Sequence, residues 1–157
     1  MKTRLFYIIF LVFGLTLISF ISTGQVQAAL GESADSVESD QKALSAVRKA
    51  TKTSNGYTVH EIRTETLIVR EYLSSSGIVF GIAWNGLSHP DLTPLLGSYN
   101  SEYQKTMQKT KRQPGRKHVR VKTDSVIVEK WGHMRNLQGR AYVPDLIPQG
   151  VSVDEIK

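Results

Sequence analysis

The sequence predicts an α+β fold, with an antiparallel sheet of about five to six strands packed with two helices. The strands divide into a three-stranded meander and a C-terminal hairpin. Three observations predict this. Tyr57–Arg63, Leu67–Leu73 and Ile78–Trp84 are rich in Val, Ile, Tyr, Phe and Thr, as strands are. Only Thr64-Glu65-Thr66 and Ser74-Ser75-Ser76-Gly77 separate them, and connections that short join antiparallel neighbours. Segments on either side of this block carry apolar residues at helical spacing. A helix, a run of strands, a second helix and a second run of strands is α+β order.

The first element is not part of the fold. Residues 1–28 have the three zones of a secretory signal peptide: Lys2 and Arg4, an apolar run from Leu5 to Ile21, and Val26-Gln27-Ala28 before a cut at Ala29. The alternative is an uncleaved inner-membrane anchor, for which the run is at the short limit of a bilayer span. Residues 29–157 then form a single domain, located in the periplasm or outside the cell. Its composition is globular, with 40% hydrophobic and 22% charged residues in the full chain. Cys is 0, which removes disulfides, thiol nucleophiles and cysteine-based metal sites.

Within the domain, Val37, Ala43, Leu44, Val47 and Ala50 predict a helix over residues 36–52, ended by Asn55-Gly56. The meander follows. If Arg63 pairs with Thr66 and Ser74 with Gly77, one face carries Ile62, Leu67, Val69, Leu73, Ile78, Phe80, Ile82 and Trp84, with His60 and Glu71. The other carries Tyr57, Val59, Ile68, Tyr72, Val79 and Ala83, with Glu61 and Arg70; being half apolar, it needs a partial cover. Asp91 is placed to cap a second helix, whose stripe is Leu92, Leu95, Leu96, Tyr99, Tyr103 and Met107. Gly97 interrupts that stripe at a cost of about 1 kcal/mol relative to Ala. His118–Lys122 and Ser125–Trp131 form the hairpin around Thr123-Asp124. Gly132–Arg140 reads as a turn or irregular segment, Ala141–Val143 as a last short strand, and Val151–Lys157 as a tail.

Several blocks together carry a resemblance: Val69-Arg70-Glu71-Tyr72, Gly77-Ile78-Val79-Phe80, Ala83-Trp84-Asn85-Gly86, Pro90-Asp91-Leu92 with Leu95-Leu96-Gly97, and Gly132-His133-Met134-Arg135 with Gly139-Arg140-Ala141. In this order they resemble an exported bacterial family known only as domain of unknown function 2844. The resemblance runs from Ala29-Leu30-Gly31 to Asp154-Glu155-Ile156-Lys157. It implies a small exported protein of proteobacterial type and supplies no catalytic or binding residues.

The chemistry must therefore come from the residues. Gly-x-Ser-x-Gly, His-Glu-x-x-His, the phosphate-binding Gly-x-x-x-x-Gly-Lys and the dinucleotide fingerprint are all absent, which leans away from an enzyme. No motif implies a metal or cofactor. Candidate catalytic residues are His60 and Glu71, diagonal on one sheet face, with His133: a carboxylate beside an imidazole fixes its tautomer and raises its basicity. They would serve a small hydrolase or metal-dependent enzyme; a polar pair at the core rim is the bland alternative. Binding candidates are Trp131, His133, Arg135 and Arg140, on or beside the Gly-flanked segment.

Lys105–Lys122 holds eight basic residues and no acidic one. Around the loop at 109–117, Lys109, Lys111, Arg112, Arg116 and Lys117 could bind anionic lipid or polysaccharide. Export disfavours nucleic acid. The membrane is expected only through an uncleaved leader. The leading expectation is a non-catalytic module of the cell envelope that binds an envelope or secreted protein. The enzyme and the anionic-surface protein are the alternatives.

Overall fold

The computed structural model describes residues 30–33, 47–54, 56–110 and 117–157, with 47–54 described as backbone. They build an antiparallel seven-stranded sheet in the order β1-β2-β3-β4-β7-β6-β5. The strands are β1 (Val47–Ser54), β2 (Tyr57–Arg63), β3 (Leu67–Ser74), β4 (Val79–Gly86), β5 (His118–Lys122), β6 (Ile127–His133) and β7 (Asn136–Tyr142). The helices α1 (Leu92–Leu96) and α2 (Asn100–Lys109) lie between β4 and β5 in the chain. The fold is α+β with sheet predominant.

The meander forms as its turns dictate, but in a different register. Tyr57 pairs with Ser74 and Arg63 with Ile68, a slip of two residues from the expected pairing. A slip of two leaves every side chain on its face, so Ile62, Leu67, Val69, Leu73, Ile82 and Trp84 do share one core. The exception is local. A bulge in β4 lets Tyr72 face Gly81 and Leu73 face Val79. Phe80 therefore turns to the second face and Val79 to the first, the reverse of expectation.

Three further expectations are corrected. Val47–Lys52, expected to end a helix, belong to β1, an edge strand paired to β2 with a bulge between Arg48 and Ala50. Thr51 and Thr53 suit a strand better than a helix. The remainder of that expected helix lies outside the described residues, as do the leader at 1–28 and Lys111, Arg112 and Arg116. The second helix is divided: Asp91 caps α1 by accepting from the Thr93 N–H at 2.9 Å. Gly97, at φ +49, then ends α1, and one 3-10 turn leads into α2. Gly132–Arg140 is regular strand on both sides of a two-residue turn, Met134-Arg135, with His133 paired to Asn136.

Each sheet face has its own cover. Leu92, Leu95, Leu96 and Tyr103 from the helices, with Leu30, close the first face over Ile82, Trp84, Val121 and Val128. Each large apolar side chain buried this way contributes about 1.5–3 kcal/mol. The C-terminal segment covers part of the second face, where Ile156, fully buried, joins Tyr72, Phe80 and Tyr142. The Tyr72 hydroxyl donates to the Lys157 carbonyl at 2.7 Å and accepts from the Lys157 N–H at 3.0 Å. The half-apolar second face is thus met by this chain's own C-terminus, and residues 151–157 are docked.

Candidate functional site

The β6–β7 hairpin carries all the binding candidates. Gly132, at φ +115, sits where an added Cβ would strike the Asn136 carbonyl oxygen. The glycine therefore permits the close strand crossing at the mouth of the turn. Beyond it the end of β6 and the two-residue turn project His133, Met134 and Arg135, all exposed. Met134 is 91% exposed. Arg135 adopts φ +66, the one left-handed non-glycine among the described residues. Such a backbone costs about 1–2 kcal/mol for an L-residue with a β-carbon.

Behind the tip, on the second sheet face, the strands hold a ladder of charge and aromatic rings. Glu129 is buried and opposes Arg120 and Arg140 across its two neighbours. Its carboxylate accepts from Arg140 at 2.6 Å and lies 3.2 Å from Arg120. The Arg140 guanidinium also donates to the Val153 carbonyl at 2.8 Å and lies over the rings of Trp131 and Tyr142. Trp131 is half-buried, its indole N–H donating to Gln138 at 3.2 Å and its ring beside His118. The four binding candidates are therefore of two kinds. Trp131 and Arg140 form a braced base, and His133 and Arg135 stand free on the tip.

The catalytic candidates do not assemble. His60 and Glu71 are direct cross-strand partners, closer than the expected diagonal, and both are buried. His133 lies in β6, four strands from His60 in sheet order. That is about 19 Å across at ~4.8 Å per strand, and His133 is further displaced along its own strand. Among the described residues no group of three His, Cys, Asp or Glu is placed to hold a metal. On the second face Glu61 is the direct partner of Arg70 and accepts from it at 2.9 Å and from Arg63 at 2.6 Å. Burial alone would raise the Glu61 pKa, but these arginines outweigh it and hold it below 4.5. Of the basic candidates, Lys109 ends α2 and Lys117 precedes β5, both exposed.

The sequence reading missed a cleft on the opposite face. It has a volume of about 250 Å³ and lies between α2, the loop at His89 and strands β5, β6 and β7. The indole N–H of buried Trp84 donates to His89 Nδ1 at 2.9 Å. Burial first, and then the neighbouring Lys130 charge, hold His89 below its ordinary 6.5. The usable signal was the alternation Val128, Lys130, Gly132, which turns a lysine toward the helical side once β6 is read through to His133.

A family model described as a protein of unknown function (DUF2844) matches residues 26–156. Comparison with curated proteins and with solved structures returned no match. Among the described residues no helix is long and apolar enough to cross a membrane.

Proposed function

From the premise that the chain belongs to DUF2844, a family of unknown function, we propose that it is a non-catalytic binding module of the bacterial cell envelope. The leader at 1–28 delivers it to the periplasm or the cell exterior, and the β6–β7 tip contacts an envelope or secreted protein. One observation carries this reading: His133-Met134-Arg135 displays a large apolar side chain, 91% exposed, beside an arginine at φ +66. Strained backbone persists where surrounding structure enforces it, and it concentrates at working sites. Here the two-residue turn between paired His133 and Asn136, closed tightly at Gly132, enforces it. A methionine fits irregular apolar surfaces, and its flanking His and Arg supply polar contacts at the rim.

The test is a pull-down from envelope extract with residues 29–157 as bait, beside Met134→Asp and Arg135→Ala baits. The wild-type bait retains one protein through a high-salt wash, and both variants lose it at unchanged unfolding midpoint. A partner held equally by all three baits, or none held by any, refutes the reading.

A further inference from the structure

The cleft under α2 is independent of the tip, since it opens on the opposite face of the sheet. Its apolar wall is made by Tyr103 and Met107 of α2, Val119 and Val121 of β5, and Leu137 of β7. Its polar residues are His89, Lys117 and Lys130, and no carboxylate is among the described lining residues. The Lys130 ammonium lies 5.6 Å above the centre of the Tyr103 ring. That contact holds the cation against the apolar wall rather than out in solvent. Among the described residues no acidic group lies within 4.0 Å of it. Its cross-strand neighbours are Val119 and Gly139, which carry no charge.

A lysine held against apolar surface, with no acidic group beside it among the described residues, leaves a positive potential at the end of an apolar slot. The ligand that complements both has an anionic head on an apolar body. The volume lies just below the range of drug-sized ligand clefts, which suits one short acyl chain or one aromatic ring. We propose that this cleft binds a small amphiphilic carboxylate, its head at Lys130 and its body against Tyr103, Val119, Val121 and Leu137. His89 then acts as a fixed wall. Its Nδ1 is committed to Trp84, so the ring's orientation is set before any ligand arrives.

Octanoate is a suitable probe, because Trp84, one of the chain's 2 tryptophans, touches the cleft through His89 and reports its filling. Titration of the full chain, followed by tryptophan fluorescence and calorimetry, should show saturable 1:1 binding of octanoate. Octylammonium should not bind. Lys130→Met should weaken octanoate at least about tenfold, roughly 1.4 kcal/mol, and leave octanol unaffected. Val119→Phe should abolish binding by filling the slot. Both positions are partly exposed, and thermal unfolding verifies that each variant folds. The proposal is overturned by absence of saturable octanoate binding, by equal binding of octylammonium, or by octanoate affinity that neither substitution changes.

Discussion

At Gly139 the absence of a side chain is a structural requirement. The residue sits on β7 opposite Trp84 and Lys130, and an added Cβ would clash with the Trp84 ring and lie 2.6 Å from the Glu129 carbonyl oxygen. The indole fills the space that the glycine leaves, so the pair packs as one unit across the strands. Gly139→Ala should lower the unfolding free energy by about 1–3 kcal/mol, read by urea titration, and should red-shift the Trp84 emission. Glu129 makes the complementary point about charge. It is 5% exposed and serves two arginines, so Glu129→Gln leaves the half-buried Arg140 guanidinium partly uncompensated. The expected loss is about 1–3 kcal/mol. Asp154 is 91% exposed and only 3.7 Å from Arg140. Asp154→Asn should stay within about 0.5 kcal/mol of wild type. Equal losses for the two would remove burial as the explanation.

At the scale of elements, the C-terminal segment acts as a clasp. Ile156 is fully buried and packs over Gly81, where a Cβ would meet its Cδ1 at 2.9 Å. Ile156→Ala should cost about 2–4 kcal/mol, large for a residue next to a chain end, and hydrogen exchange should show β3 and β4 losing protection with it. The hairpin tip responds in the other sense. Arg135→Gly removes a left-handed cost of about 1–2 kcal/mol and adds about 0.5–1 kcal/mol of unfolded-state freedom. Its stability should therefore match or exceed that of wild type, while partner binding falls.

These elements also explain what the sequence disclosed. β2, β3 and β4 were legible because they are rich in β-branched and aromatic residues and their turns are short. Of β7 only Ala141-Tyr142 were legible: the space at its glycine is filled by an indole from another strand, and its exposed end is polar, so the run Asn136-Leu137-Gln138-Gly139-Arg140 looks irregular in isolation. β1 is an edge strand rich in Lys and Thr, and the alanines before and within it mimic helical spacing. The bulge that exchanged Val79 and Phe80 has no local signature apart from Gly81. The tip residues could be named from their glycine flanks, because one local segment makes the tip. The cleft draws on one helix, three strands and the loop at His89, and Lys130 joins it only through the register of β6.

Over the whole molecule, carboxylates stitch distant segments together, and this makes acid stability a test of the fold. Glu61 ties β2 to Arg70 of β3. Glu102 of α2 accepts from the Asp124 N–H at 2.7 Å and the Ser125 N–H at 3.3 Å, fixing the helix to the β5–β6 turn. Glu155 accepts from the Tyr57 hydroxyl at 2.7 Å and the Ser152 N–H at 3.0 Å, fixing the C-terminal clasp to β2. Burial works against ionisation of Glu61 and Glu102, but the donors outweigh it; at Glu155 the Ser152 N–H and then the Tyr57 hydroxyl dominate. All three are held below 4.5. A carboxyl whose pKa is depressed by folding contributes stability above its unfolded value and loses it as pH falls through the folded value. His89, held below 6.5, acts in the same direction at higher pH, because the unfolded chain takes up a proton that the folded chain refuses. The urea midpoint should therefore fall in two stages on acidification, one beginning near 6.5 and the second below 4.5. His89→Gln keeps an acceptor for Trp84 without titrating there, and should flatten the first stage alone. Combined Glu61→Gln, Glu102→Gln and Glu155→Gln should lower stability at neutral pH and flatten the second. A midpoint that stays level or rises between pH 7 and pH 3 would show that these contacts do not hold the segments together in solution.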